Sequence, residues 1–223
     1  MKSFFLIIFL LVSAQFNQLF SQFTSGSLYN NWKTLAIREA NSKLTYSDIE
    51  GTPFYSDEFI KSTVYLNDGS YANVALRYDI FQDEIEFMQE NKTLWVNKKE
   101  VRNIRYGSEM MFVSTPNEDS TKLAYFFLLG TGKYLLYVQK KIIYYPEIPP
   151  KGYANAIPQR FERDKDEYYL KAKGLPAKKF NSKKSLLAIL SDNGAAQSFI
   201  KKEKIKADNP EDLKKLVGFL NSD

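Results

Sequence analysis

The sequence contains no histidine and no cysteine. Without histidine there is no Ser-His-Asp or Cys-His machinery, no ordinary zinc site and no imidazole proton relay. What survives is carboxylate chemistry, Ser-Lys or Tyr chemistry, and metal sites built from oxygen ligands. Without cysteine there is no disulfide staple and no lipid-attachment site of the bacterial lipoprotein kind, so burial alone must hold the fold together. A chain of this length can do that.

Long apolar runs are also scarce. The one clear case, Phe4 to Val12, falls short of the roughly 20 residues that a membrane-spanning helix needs. It follows Met1-Lys2-Ser3 and precedes small and polar residues, which is the signal-peptide pattern. Cleavage is expected after Ser21, leaving Gln22 first, with Ala14 as the alternative site. The mature chain is then expected to be a soluble secreted or periplasmic protein with no transmembrane segment. Its composition, 44% hydrophobic and 26% charged, is that of ordinary globular proteins.

The remaining residues divide in character. From 22 to 170, aromatic and β-branched residues are dense and Gly, Asn and Asp punctuate them, the pattern of strands and turns. The clearest hairpin runs from Phe59–Leu66 through Asn67-Asp68-Gly69 into Tyr71–Tyr78. A three-residue loop with Gly69 left-handed pairs Ile60 with Leu76 and Val64 with Ala72. It places Ile60, Val64, Leu66, Val74, Leu76 and Tyr78 on one face, and register follows the buried face. A strand over Ile85–Gln89 extends the face by pairing Tyr78 with Ile85, which sets Arg77 opposite Glu86 on a less buried side. Further strands are expected at Leu94–Val96, Met110–Ser114, Lys122–Leu129, Tyr134–Lys140 and Phe161–Leu170.

From 171 to 223 the apolar spacing becomes helical. Ser182 caps a segment reaching about Leu190, and another spans Ala195 to about Glu203. Asn209-Pro210-Glu211-Asp212 is a strong helix start, followed by the stripe Leu213, Leu216, Val217 and Leu220. This part carries twelve lysines, no arginine and six acids, an excess of six positive charges. Lysine without arginine reads bases poorly, so no nucleic-acid partner is expected and these lysines are assigned to the wet side of the helices. The fold class is therefore mainly β (α+β): a curved antiparallel sheet or open barrel with two or three short C-terminal helices packed on it.

Chemistry-bearing patterns are few. Asp83-Glu84-Ile85-Glu86, with Asp79 nearby, is the densest acidic cluster. It lacks the calcium-loop pattern and reads as a solvated loop and strand face with Glu86 paired to Arg77. Gly130-Thr131-Gly132-Lys133 has neither the earlier glycine nor the following Ser or Thr of a phosphate loop, so it reads as a turn. Tyrosines in and beside strands are the candidate binding residues, namely Tyr125, Tyr137, Tyr144 and Tyr168, because such rings stack on sugars or apolar ligands. No catalytic residue, metal site or cofactor is expected.

Gly51-Thr52-Pro53-Phe54-Tyr55, Leu76-Arg77-Tyr78-Asp79 running into Asp83-Glu84-Ile85-Glu86-Phe87, Phe180-Asn181-Ser182-Lys183-Lys184-Ser185-Leu186-Leu187, and Asp212-Leu213-Lys214-Lys215-Leu216 with Asn221 occur in an order that resembles a family of uncharacterised exported proteins of Bacteroidetes-type bacteria. The segment Leu19-Phe20-Ser21-Gln22 is similar to the signal ends of that group. The resemblance implies an exported setting and, because the family has no assigned activity, no catalytic residues. The leading expectation is a non-enzymatic envelope or secreted protein that binds a protein, glycan or lipid partner. The alternatives are a carboxylate-dependent hydrolase of envelope polysaccharide and a purely structural surface protein. Protein purified from its own host is predicted to begin at or near Gln22; N-terminal sequencing that finds intact Met1 on cytosolic protein overturns the export assignment.

Overall fold

The computed structural model describes residues 38–39, 45–115, 122–153 and 155–222; the expected signal, residues 1–21, lies outside them. The polypeptide runs through β1 (Arg38–Glu39), β2 (Ile60–Leu66), β3 (Tyr71–Asp79), β4 (Glu84–Gln89), β5 (Lys92–Trp95), β6 (Val101–Tyr106), β7 (Glu109–Ser114), β8 (Ala124–Gly130) and β9 (Tyr134–Gln139). It continues through β10 (Ile142–Tyr145), β11 (Arg160–Arg163), β12 (Glu167–Ala172) and β13 (Lys178–Phe180) to three helices, α1 (Lys183–Ile189), α2 (Gly194–Lys202) and α3 (Pro210–Leu220). Eleven strands form one antiparallel sheet in the order β1-β5-β4-β3-β2-β6-β7-β8-β9-β12-β13, and β10 pairs with β11 apart from it.

The expected hairpin is present in the expected register. Ile60 pairs with Leu76 and Val64 with Ala72. The loop closes with Leu66 N–H donating to Ser70 O at 2.9 Å and Gly69 at φ +88°. Tyr78 pairs with Ile85 and Arg77 with Glu86. On the apolar face Val64, Leu66, Leu76, Tyr78 and Ile85 are buried.

This face is concave. In sheet order three strands separate β3 from β8, so a flat sheet would hold them about 19 Å apart at ~4.8 Å per strand. Yet the Tyr78 ring centroid lies 5.9 Å from that of Tyr125 and 6.0 Å from that of Phe127. The sheet therefore curls until β3 and β4 face β8, and it does not close into a barrel.

The helices fill the open side. Leu186, Ile200, Leu213, Leu216, Val217 and Leu220 share one core with Val64, Leu76, Tyr78 and Phe127. Their starts follow the caps read from sequence. Ser182 Oγ accepts from Ser185 N–H, and Asn209 caps α3 with Pro210 in its first turn. The C-terminal end of α3 is further tied to the β8–β9 turn through Asn221. Its Oδ1 accepts from Tyr134 N–H at 2.8 Å, and its Nδ2 donates to Thr131 O at 3.1 Å and Tyr134 O at 3.0 Å.

One expected strand is corrected. Phe161–Leu170 is not continuous: Phe161 belongs to β11 and Leu170 to β12, in different sheets. The run Arg163-Asp164-Lys165-Asp166 cannot be buried on two faces of a sheet, and the chain changes sheets across it. The preceding limb makes the same change, with β9 ending at Gln139 and β10 starting at Ile142. The structure thus forks at Lys140-Lys141 and Asp164–Asp166. Beyond the fork, Tyr144 and Phe161 pack on Phe81 from the β3–β4 turn, with ring centroids 6.2 and 5.1 Å away.

At Gly130 a Cβ would overlap Val217 Cγ1, so only glycine lets α3 lie this close to β8. Gly130→Ala is predicted to destabilise the protein by about 1–3 kcal/mol through overpacking, and Val217→Ala in the same chain to return part of that loss. Urea unfolding of the two variants checks this; a harmless Gly130→Ala would mean that α3 does not seat on β8.

Candidate functional site

The acidic cluster is not the solvated face that its composition suggests. Asp79 and Glu86 are 1% and 6% exposed, because the segment before β2 folds over them. Tyr46 donates its hydroxyl to Asp79 Oδ2 at 2.7 Å, and Gln82 N–H donates to Asp79 Oδ1 at 2.9 Å. Glu86 does pair with Arg77, at 2.6 Å, and the guanidinium also lies 3.8 Å from the centroid of Phe54. Asp83 accepts from Tyr78 Oη at 2.7 Å and pairs with Lys98 at 3.2 Å, while Lys98 also reaches Glu84 at 3.4 Å. These carboxylates brace the β3–β4 turn against the sheet. Burial raises the pKa of each of Asp79, Asp83 and Glu86 above the ordinary carboxylate value, against the hydrogen bonds and cations that pull it down.

The four tyrosines do not form a common groove. Tyr125 and Tyr168 lie in the concave core: Tyr125 donates its hydroxyl to Val96 O at 3.3 Å, and Tyr168 stacks on Phe180. Tyr137 is on the opposite face of the sheet, among Phe112, Phe126 and Tyr169, and burial pushes its hydroxyl up to about 12. Tyr144 sits in the small sheet and donates to Gln159 Oε1 at 2.7 Å. Rings that sequence reading offers to a ligand are thus spent on three separate packing clusters.

A different site emerges at the fork. Between the β3–β4 turn and the ends of β8, β9, β12 and β13 lies a cleft of about 490 Å³, within the roughly 300–1,000 Å³ of small-molecule sites. The turn supplies one wall through Ile80, Phe81, Gln82 and Asp83. Phe81 is the exposed apolar surface there, at 38%. The other walls carry Lys122, Lys140, Lys141 and Lys179, with Glu167 and Tyr169 between them. Each lysine reaches the cleft for a local reason: Lys122 precedes β8, Lys140 and Lys141 are the residues where β9 gives way to β10, and Lys179 is on the edge strand β13.

Within the cleft the charges are partly matched. Lys140 pairs with Asp166 at 2.7 Å. Glu167 lies between Lys179, 2.6 Å away, and Lys141, 3.5 Å away, and accepts from Tyr169 Oη at 3.1 Å. Burial alone would raise the Glu167 pKa, but the Lys179 hydrogen bond and the two ammonium charges hold it below the ordinary value. With Lys140 matched by Asp166 and Asp83 by Lys98, the remaining lining charges are Lys122, Lys141 and Lys179 against Glu167. The cleft is therefore electropositive, with one apolar wall.

No protein-family model matches the chain, nor does any curated protein or solved structure. The case for the cleft thus rests on its own geometry. Among the described residues no group of three or more acidic side chains is placed to hold a metal ion, and no helix is long and apolar enough to cross a membrane.

Asp79 fixes the turn that forms the cleft wall, so its charge state affects stability. Its pKa is raised on folding, so its favourable contribution is complete below the unfolded value, about pH 4, and is lost as pH rises through the native value. Asp79→Asn, which carries no charge, is predicted to gain stability relative to the parent protein as pH increases from about 4 to about 7. Melting temperatures of both proteins across that range check it; a flat difference, or one that moves the other way, refutes the assignment.

Proposed function

We propose that the protein is a non-enzymatic exported protein of the cell envelope that binds an anionic partner in the lysine-lined cleft at the fork. The observation that carries this reading is the convergence of Lys122, Lys140, Lys141 and Lys179 from three separate stretches of the chain around one cavity. Surface lysines are usually scattered and solvated. Here several strand ends deliver them to a concavity of ligand size beside an exposed Phe81.

Export is supported by the sequence pattern of residues 1–21. The resemblance of the chain to exported proteins of Bacteroidetes-type bacteria fits the same setting. A binding role rather than catalysis is favoured by the lack of histidine and cysteine and by the engagement of Asp79, Asp83 and Glu86 in bracing the turn. Glycan or lipid partners of an envelope commonly carry carboxylate or phosphate groups, which an electropositive cleft attracts.

Native mass spectrometry of protein recovered from its own cells tests the proposal. The expected result is a retained acidic mass that is absent from a Lys141→Gln/Lys179→Gln variant of unchanged melting temperature. Retention of the same mass by that variant would move the binding site elsewhere.

A further inference from the structure

Resting on that reading of the cleft, we infer that Lys141, Lys179 and Tyr169 form a carboxylate receptor that the chain's own Glu167 occupies in the free protein, and that the carboxylate of a bound acidic sugar takes its place. The geometry is that of a receptor for a planar group with two oxygens. Lys179 Nζ addresses Oε1 at 2.6 Å. Lys141 Nζ, at 3.5 Å, and the Tyr169 hydroxyl, at 3.1 Å, address Oε2. Three donors from three strands or strand ends converge on one carboxylate, with one oxygen served from each side.

The occupant is replaceable. The side chains of Lys141, Glu167 and Lys179 are 36%, 27% and 48% exposed, and ion pairs in such surroundings are weak because water competes for both partners. Exchanging one carboxylate for another leaves the number of charge-assisted hydrogen bonds unchanged. The incoming ligand therefore gains its affinity from contacts that Glu167 does not make, chiefly the Phe81 ring and the Gln82 amide that also line the cleft. A ring with an apolar face, hydroxyls and a carboxylate meets both of these and the receptor. That is the chemistry of a uronic acid; a phosphate group is tetrahedral and lacks the planar pair of oxygens that Glu167 presents.

The internal carboxylate would act as a threshold. It keeps the lysines from collecting small inorganic anions and yields only to a ligand with further contacts. Its removal should consequently strengthen binding, the opposite of what is expected for a residue that holds the ligand.

The test is a titration of glucuronate, glucose and inorganic phosphate into the mature protein and its Glu167→Gln variant, followed by NMR shifts of the cleft residues. Glucuronate should bind the parent protein, and Glu167→Gln should tighten it about three- to tenfold, the size expected for releasing one or two exposed ion pairs. Glucose should bind neither protein, and adding Lys179→Gln to the variant should abolish the gain. If glucuronate binds the parent and Glu167→Gln weakens it or leaves it unchanged, Glu167 is not a stand-in and the inference falls while the cleft reading stands. If phosphate binds both proteins and glucuronate binds neither, the cleft still takes anions and the carboxylate assignment is wrong. If none of the probes shifts the cleft residues of either protein, both the inference and the reading beneath it fail.

Discussion

The contacts of Tyr78 with Tyr125 and Phe127 hold the sheet in its curl, and the rest of the structure follows from them. They bring β3 within ring contact of β8 although three strands lie between them in the sheet. A sheet so curved has a concave side too narrow for another sheet but wide enough for short helices. The Leu213, Leu216, Val217 and Leu220 stripe completes the core that the curl leaves open. An isolated helix as short as α3 is marginal in water, so its order comes from this seat.

The same curl accounts for the buried acids. Drawing the β3–β4 turn toward β8 leaves Asp83 accepting from the Tyr125 backbone N–H, at 3.3 Å, and from Tyr78. A carboxylate in that position is tolerable only with donors and a cation around it, and Lys98 supplies the cation. The cluster is thus a brace, and its most visible product is the position of Phe81 on the wall of the cleft. Asp79, Asp83 and Glu86 shape the turn, while Lys122, Lys140, Lys141 and Lys179 line the cleft.

Sequence pattern revealed the parts of this architecture whose periodicity is clean. The β2–β3–β4 register could be read because alternation and the Asn67-Asp68-Gly69 turn agree, and the helices because their apolar spacing is regular and Ser182 and Asn209 cap the first and third of them. Strand β6 escaped notice because Tyr65 pairs with Asn103 and Leu66 with Val101. The bulge at Arg102 breaks the alternation, spacing the buried Val101, Ile104 and Tyr106 unevenly. Strand β13 was hidden by its length and by Lys178 and Lys179, which leave Phe180 as its one buried residue. The cleft was not legible, since Lys122, Lys141, Glu167 and Lys179 meet only through the fold. One signal does point to it: the charged run Arg163-Asp164-Lys165-Asp166 interrupts the apolar pattern of Phe161–Leu170, and that interruption is the fork.

Asn221 grips the β8–β9 turn across a separation of 87 residues from Tyr134. Every strand of the sheet is therefore synthesised before the residue that fastens the β8–β9 turn arrives. Until then the seat of Val217 beside Gly130 lies open as apolar surface. Non-local closure of this kind makes folding slow. The last turn of α3 is the final piece of chain to close on the sheet.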